Sequence, residues 1–259
     1  MDEVLRVERK GAMAWLTLAR PDQLNAIGTA TVTALHAALD ALQDDSTVRA
    51  LVIAGEGRAF SAGADIGEFE GFDSPREFRA FIDRLDTCFG RLQAFPKPSV
   101  AAVHGFAFGG GLELALACDL RVVARDAKLG VPEIKLGLLP GAGATQRLPR
   151  LLPAAIAKQL VLTGAPISGE RAYQLGLVNE VTDAADVRDK AAELAEAVAA
   201  GAPLALAAGK QLIDGGQAMD LAAAIQLERE TVAGLFATND RRIGVAAFRS
   251  RSAAEFTGA

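Results

Sequence analysis

Hydrophobic and polar residues alternate over the first eleven positions of the chain, MDEVLRVERKG, and a mostly apolar run follows. Val4–Arg9 and Ala14–Leu18 therefore read as two strands, joined by a turn at Lys10–Gly11. Shorter β-rich runs occur later, between glycine- and proline-containing loops. They predict strands at Arg49–Ala54, Ser99–Val103, Leu120–Ala124, Lys128–Val131 and Val178–Val181. The first 182 residues are thus expected to contain a sheet whose strands are mostly buried.

Apolar residues spaced three or four apart mark the helices between these strands. Leucines within Leu35–Leu42 share one face of a helix over about residues 29–43. Ser74–Glu77 reads Ser-Pro-Arg-Glu, a capping box with proline at the first helical position, so a helix should begin there and end before Pro96. Further helices are predicted over 153–162 and 168–175. The recurring unit of this part is strand, strand, helix, which indicates an α/β fold.

The chain changes character towards its end. From Asp183 onward only helical patterns occur, and no polar linker separates them from the rest. We therefore predict two parts: residues 1–198 as the core with the active site, and residues 199–259 as a helical subdomain packed on the core or on a neighbouring subunit. The apolar segments Leu204–Leu212 and Ala222–Phe236 are consistent with buried contacts between subunits.

Composition narrows the possible partners and the compartment. Hydrophobic residues make up 51%, aromatic residues only 5%, and the net charge is −5, so neither a basic patch nor a base-stacking surface for nucleic acid is expected. Cys88 and Cys118 lie in apolar helical patterns, which favours free thiols and a reducing, cytoplasmic compartment. The two histidines, His36 and His104, have no metal-ligand spacing, so no metal site is expected.

Neither a membrane span nor a secretory leader is expected. The most apolar window, Pro98–Asp119, contains His104, Glu113 and several glycines, and reads as protein core. The first eleven residues lack the apolar region of a signal peptide.

The stretch Val103–Asp119, VHGFAFGGGLELALACD, contains the first candidate site. Three consecutive glycines, Gly109–Gly111, are unfavourable in a regular element unless the backbone must pass close to a ligand. An apolar helix follows, and its first N–H groups are free to stabilise negative charge. Glu113 lies in the first turn of that helix. An anion-binding amide beside a carboxylate is the outline of an acid–base site, although a tight turn entering a buried helix would give the same pattern.

Three further segments have suitable chemistry. Phe60–Ile66 is a loop of small residues, FSAGADI, that a ligand could approach closely. Pro132–Ile134 places Glu133 in apolar surroundings. Pro140–Arg147 is a glycine-rich loop that opens a helix.

Taken together, SAGADI, FGGGLELALACD, PEIKLGLLPGAGATQRL and the tail FATNDRRIGVAAF resemble the crotonase superfamily, and within it the enoyl-CoA hydratases. The resemblance extends from the RPDQLNAI segment at Arg20–Ile27 to the tail. It implies a spiral of ββα units with a C-terminal helical subdomain, assembled as trimers that pair into hexamers. It also implies an acyl-CoA thioester as substrate in fatty acid β-oxidation, with no separate cofactor, because coenzyme A is part of the substrate.

The resemblance assigns roles to individual residues. The backbone N–H groups of Ala64 and Gly110 would hold the thioester oxygen, and pre-aimed donors help most where charge grows in the transition state. Glu113 would hold and deprotonate a water molecule, and Glu133 would transfer a proton at C2. The implied reaction is reversible syn addition of water to trans-2-enoyl-CoA. The residues implied to contact the substrate are Ala26, Ala62, Asp65, Ile66 and Gly141.

The sequence departs from the family pattern at two positions. Val131 stands where many hydratases have glutamine, which would loosen the positioning of Glu133. Ile243 replaces an acidic residue in the tail. Arg147 and Lys158 could meet the phosphates of coenzyme A, or they could lie on the solvated surface.

Other activities stay open at this point. The same fold could carry a Δ3,Δ2-enoyl-CoA isomerase, which needs only one base, or another acyl-CoA lyase or hydrolase. A serine hydrolase is suggested by Ala59–Gly63, but no histidine follows His104 to complete the usual triad. A dinucleotide-binding loop at Gly141–Gly143 lacks its third glycine.

Overall fold

The computed structural model describes residues 3–259. A six-stranded sheet forms its centre, in the order β1-β2-β3-β4-β6-β9. The first pair is antiparallel and every later pair is parallel. The strands are β1 (Leu5–Lys10), β2 (Met13–Leu18), β3 (Ala50–Gly55), β4 (Ser99–Val103), β6 (Leu120–Ala124) and β9 (Glu180–Thr182). All residues of β2, β3 and β4 are buried, as the apolar runs predicted.

A second, three-stranded sheet lies beside the candidate site. It consists of β5 (Phe106–Phe108), β7 (Lys128–Gly130) and β8 (Ile167–Ser168), in the order β5-β7-β8. The sequence patterns predicted β7 but neither β5 nor β8, because two or three residues are too few to show alternation. The last strand of the large sheet, β9, begins two residues later than the predicted Val178–Val181.

Ten α-helices surround and extend the two sheets. Their bounds are α1 (Thr29–Gln43), α2 (Pro75–Gln93), α3 (Gly110–Ala117), α4 (Ala144–Leu151), α5 (Ala154–Thr163), α6 (Gly169–Gln174), α7 (Val187–Ala199), α8 (Pro203–Gly216), α9 (Leu221–Phe236) and α10 (Asn239–Ser250). The capping box is present at the start of α2, where the Ser74 side chain accepts a hydrogen bond from the backbone N–H of Glu77. The helix α3 is buried along its whole length.

The last three helices differ from the rest. The helix α7 packs against β3, β4 and β6, whereas α8 and α9 pack mainly against each other and contain no fully buried residue. Large apolar side chains remain exposed there, among them Leu221 at 74% and Phe248 at 87%. The division at residue 199 stays a prediction. Within residues 3–259 no single helix meets the length and hydropathy needed to cross a bilayer, and the segment Ala184–Ala199 with Pro203–Gly216 meets them only as a pair bent by 106°.

Candidate active site

Glu113 enters the site from the first turn of α3 and is held by a loop far along the chain. Its Oε1 accepts hydrogen bonds from the backbone N–H groups of Ala142 (2.8 Å) and Ala144 (2.9 Å). Both donors can point at one oxygen because Gly143 between them has φ +109°, a conformation that favours glycine. Ala144 is also the first residue of α4, so the carboxylate lies at a helix N-terminus. Glu113 is only 2% exposed, yet one of its oxygens is fully hydrogen-bonded.

Glu133 approaches from the opposite side, on a short 3-10 helix at Pro132–Leu136. Its carboxylate lies against the backbone of Gly109, where a Cβ would come within 2.6 Å of Oε1. The other oxygen, Oε2, is buried and has no hydrogen-bond partner among residues 3–259. A buried acceptor of this kind is costly unless a ligand or water completes it.

Burial raises the pKa of both carboxyls. The pKa of Glu113 rises to about 7, chiefly through loss of solvation and also through the nearby charge of Glu133, while the two backbone N–H groups partly oppose the rise. The pKa of Glu133 is raised by burial as well. Two carboxyls beside each other in a largely buried site disfavour double ionisation, so a single proton shared between them is favoured over two charges.

Two backbone amides lie beside the carboxylates. Ala64 belongs to the small-residue loop, which is fixed by hydrogen bonds from Ile27 N to Gly63 O (2.8 Å) and from Asp65 N to Ile27 O (3.0 Å). Gly110 is the first residue of α3. Within residues 3–259, neither the N–H of Ala64 nor that of Gly110 donates to a protein acceptor. The two backbones are close, because a Cβ on Gly110 would lie 3.2 Å from the nitrogen of Ala64.

These groups share one cleft with a volume of about 90 Å³. Apart from the two glutamates, its lining is backbone and apolar side chains. The apolar part is formed by Ile66, Phe69, Phe78, Ile82, Leu85, Pro132, Leu136, Leu138 and Leu139. Phe69 and Phe78 belong to an aromatic group with Phe72 and Phe81, in which the rings of Phe69 and Phe78 meet edge to face at 5.3 Å.

Most of the residues implied to contact the substrate line this cleft. Ala62, Ile66 and Gly141 do so, together with Ala64, Gly110 and both glutamates. Ala26 and Asp65 lie outside the lining. The Asp65 carboxylate accepts from the Arg20 guanidinium (3.0 Å) and from the backbone N–H of Gly67 (3.1 Å), so its side chain already has structural partners. A role for these two residues towards the coenzyme A moiety stays a prediction.

The structure assigns the rival candidates to structural roles. The Ser61 hydroxyl is buried and donates to the carbonyl of Asn25 (2.8 Å), which leaves it unsuited to nucleophilic attack. His104 has Nε2 at 2.9 Å from the carbonyl of Gly57, as expected for a histidine at a strand end. Cys88 and Cys118 are buried free thiols, and no group of three potential metal ligands occurs in the part of the chain from residue 3 onward.

Sequence reasoning missed the two amides that hold Glu113. The glycine-rich loop is one of the candidate segments, and Gly141 is implied to contact the substrate, but the donors to the carboxylate belong to Ala142 and Ala144. A Gly-X-Gly pattern directly before a helix is the available signal, because it predicts convergent N–H groups. A phosphate contact of Arg147 stays a prediction; within the structure its Nε donates to the side chain of Gln93 and its Nη1 to the carbonyl of Ala142.

Comparison with known proteins identifies the family of the chain. The family model described as enoyl-CoA hydratase/isomerase matches residues 8–259. A protein of Bacillus subtilis named probable enoyl-CoA hydratase is 40% identical over 247 residues and covers 95% of each chain. The 2,3-dehydroadipyl-CoA hydratase of Escherichia coli is 40% identical over the full length of both chains. A crystal structure of an enoyl-CoA hydratase from Bacillus anthracis superposes with a TM-score of 0.96 at 34% identity, covering 99% of this chain and 100% of that one. The chain therefore belongs to the enoyl-CoA hydratase/isomerase family of the crotonase superfamily and is an enzyme of the enoyl-CoA hydratase type.

Proposed function

We propose that the enzyme adds water reversibly to the double bond of a trans-2-enoyl-CoA and gives the 3-hydroxyacyl-CoA. The observation that carries the proposal is the grouping of two carboxylates, Glu113 and Glu133, with two unpaired amides, Ala64 and Gly110, around one cleft. An isomerase of the same fold would need only one base. The presence of two glutamates therefore favours hydration.

In the proposed reaction, Glu113 accepts a proton from the bound water as the water oxygen bonds to C3. The π electrons of the alkene move towards the carbonyl, and the thioester becomes an enolate. Glu133, in its protonated form, then delivers a proton to C2, which restores the thioester. One proton is taken and one is given, so after the addition the proton of the pair is on Glu113. It must return to Glu133, directly or through solvent after the product leaves, before the next turnover.

The two amides stabilise the charge that this step creates. Donation from Ala64 and Gly110 to the thioester oxygen strengthens as that oxygen becomes an enolate, and each donor in such a site is typically worth about 2.7–4 kcal/mol. Because neither N–H group has an acceptor among residues 3–259, both are available to the thioester oxygen without breaking another hydrogen bond.

The lining of the cleft supports a short, uncharged acyl group. The aromatic side chains of Phe69 and Phe78 are part of the lining, and we propose that they limit the length of the acyl group. Among the lining residues within 3–259 there is no lysine or arginine to receive a free carboxylate at the far end of that group. The E. coli relative is named for 2,3-dehydroadipyl-CoA, whose acyl group has a free carboxylate at the end away from the thioester. We propose that this enzyme prefers acyl groups without that charge.

A chain-length series tests both parts of the proposal. Hydration is followed as loss of absorbance of the conjugated thioester for trans-2-enoyl-CoA substrates of four to sixteen carbons. Isomerisation is followed as a gain of the same absorbance when a 3-enoyl-CoA, which is not conjugated, is the substrate. We expect the highest kcat/KM for the shortest substrates. Isomerisation of the 3-enoyl-CoA without hydration would overturn the proposal.

The aromatic limit has its own matched pair of variants. Phe78→Ala opens the cleft and should shift the preference towards longer chains. Phe72→Ala removes a ring from the same aromatic group but not from the lining, and should leave the preference unchanged. Equal profiles for both variants would contradict the proposed limit.

The assembly and the compartment are also proposals. The exposed apolar side chains on α8 to α10, such as Ile213, Leu221 and Phe248, support burial between subunits in a trimer or a pair of trimers, with residues 199–259 as the oligomerisation subdomain. Light scattering would give the mass directly. Two buried free thiols favour a reducing, cytoplasmic compartment, and the proposed reaction would suit the hydration step of β-oxidation.

A further inference from the structure

Arg147 lies behind the loop that holds Glu113, on the side away from the cleft. Its Nη1 donates to the carbonyl of Ala142 at 2.7 Å, and its Nε donates to the side-chain oxygen of Gln93 at 2.9 Å. Arg147 is in α4 and Gln93 is the last residue of α2. The guanidinium therefore ties the loop to a helix of the core.

The peptide group held by Arg147 is the one between the two donors to Glu113. The N–H groups of Ala142 and Ala144 point at Oε1, and the carbonyl of Ala142, which lies between them along the chain, points at the guanidinium. Fixing this middle peptide fixes the direction of both donors. A rotation of the Ala142 carbonyl away from Arg147 would turn the neighbouring amides away from Glu113.

Because Gly143 has no side chain, the guanidinium of Arg147 can lie directly against its backbone. A Cβ on Gly143 would lie 1.9 Å from Nη1 of Arg147, and the φ of +109° is strained for any other residue. The same glycine thus permits both the convergence of the amides and the close approach of the positive charge.

The positive charge of Arg147 is close enough to the Glu113 carboxylate, on the other side of the loop 142–144, to stabilise its ionised form. Glu113 is influenced by two charged side chains, Glu133, which raises its pKa, and Arg147, which lowers it. Arg147 is in turn faced by Asp86 of α2 and Asp214 of α8. The guanidinium is the one positive group among them that favours the ionised form of Glu113.

We propose that Arg147 is a positioning residue for Glu113, which holds the loop donors in place and favours the proton-accepting form of the carboxylate without touching the substrate. The inference rests on the proposed hydratase function. It extends that function by assigning a role to a side chain outside the cleft.

The test is the pH profile of hydration by Arg147→Met. The variant keeps the length of the side chain and removes both its charge and its donors. We expect kcat to fall about 10- to 100-fold, the scale at which misplacement by about an ångström acts, with KM changed far less. Because Glu113 must be ionised to accept a proton, activity is lost as pH falls through its pKa. Removing the positive charge raises that pKa, so the acidic limb should move to higher pH.

Three further variants, one of them conservative, keep the test decisive if Arg147→Met folds poorly. Arg147→Lys retains the charge but not the planar fork, so it should restore the acidic limb and only part of kcat. Gln93→Leu removes the anchor of Nε and should lower kcat by a smaller factor. Added guanidinium ion should partly rescue Arg147→Ala.

Arg150→Met is the matched control. Arg150 lies on the same helix, one turn further on, and donates to the carbonyl of Gln146 within that helix. We expect wild-type kcat and a wild-type acidic limb. A shift as large as that of Arg147→Met would overturn the inference.

The outcomes separate the inference from the function on which it rests. A wild-type enzyme that does not hydrate any enoyl-CoA overturns the proposed function. An active wild type together with Arg147 variants that keep kcat and the acidic limb overturns the positioning role alone. A rise in KM at constant kcat would also overturn it, because that is the effect of a lost contact with the substrate.

Discussion

The two glutamates present the same functional group to one cleft from two differently built walls. The Glu113 wall consists of the buried helix α3 and the loop 142–144, and it saturates Oε1 with two backbone donors. The Glu133 wall is the 3-10 helix Pro132–Leu136. The Oε2 atom of Glu133 is buried there without a hydrogen-bond partner among residues 3–259. One carboxylate is fixed by its surroundings and the other is incomplete.

This difference matches the two tasks of a hydration reaction. A carboxylate that orients water needs oxygen atoms held in a fixed position. The hydrogen bonds from the backbone N–H groups of Ala142 and Ala144 hold Oε1 of Glu113 in this way. A carboxyl that passes a proton to carbon gains from having no competing donor beside it. The division of tasks between Glu113 and Glu133 can therefore be tested by removing each in turn.

The largest expected effect is the loss of hydration in Glu133→Gln. The amide cannot deliver a proton to C2, so we expect kcat to fall by about 10²–10⁴-fold, the usual range for a general acid. Acyl-CoA binding should be nearly unchanged, because the shape of the side chain is kept. Steady-state assays should show the loss of kcat, and the dissociation constant for acyl-CoA should match that of the wild type. Wild-type turnover in the variant would show that Glu133 has another role.

Glu113→Gln should lower kcat over the same range for a different reason. Its side-chain oxygen can still accept from Ala142 and Ala144, so the loop should stay in place while the base is lost. If only one of the two glutamine variants were impaired, the two-carboxylate reaction would be wrong and a single-base isomerisation would be favoured. Crystal structures of both variants would show whether the walls keep their positions.

A smaller effect is expected at the amide between the two walls. Gly110→Ala places a methyl group 3.2 Å from the nitrogen of Ala64, where the thioester oxygen should bind. We expect about a 10²-fold loss of kcat, near the lower value for one lost donor. Gly110→Pro removes the N–H itself and should lose at least as much. Gly90→Ala on α2, with open space around its Cβ, is the matched control and should keep full activity.

The two walls also differ in how well sequence predicts them. Local signals were sufficient for the Ser74 cap, which the structure places 3.3 Å from the N–H of Glu77 three residues later. Glu113 and Glu133 could be named because glycine and proline motifs surround them. The partners of Glu113 could not, because the donors lie about 30 residues further along the chain and are backbone atoms of alanines.

Arg147 shows the same limit more clearly. Its partner Gln93 lies 54 residues earlier, and only the packing of α4 near the end of α2 brings them together. Sequence also missed β5, because Phe106–Phe108 has three residues and pairs with β7 across the glycine stretch. Long-range pairing of short elements depends on tertiary packing, which propensity and periodicity do not contain.

The smallest expected effect is on thermal stability, measured as Tm. It distinguishes the two walls in the absence of substrate. Glu113→Leu leaves the N–H groups of Ala142 and Ala144 without an acceptor, and each stranded donor costs about 1–3 kcal/mol, so Tm should fall by several degrees at pH 4.5, where the raised pKa of Glu113 keeps its carboxyl protonated in the folded wild type. Glu133→Leu removes a carboxylate that has no protein partner, and Tm should be retained or raised.

The pH dependence of the second variant gives the sharper test. Because the folded protein raises the pKa of Glu133 above its ordinary value of 4.5, the wild type loses stability as pH rises through and above that value, where the unfolded chain is already ionised. Glu133→Leu removes this loss, so its Tm relative to wild type should be higher at pH 8 than at pH 4.5. Glu196→Leu, at an exposed position on α7, is the control and should show no such trend. The difference in Tm between Glu133→Leu and wild type could instead stay constant from pH 4.5 to pH 8. That result would mean that the Glu133 carboxylate is solvated in the folded enzyme, and the contrast between the two walls would then rest on Glu113 alone.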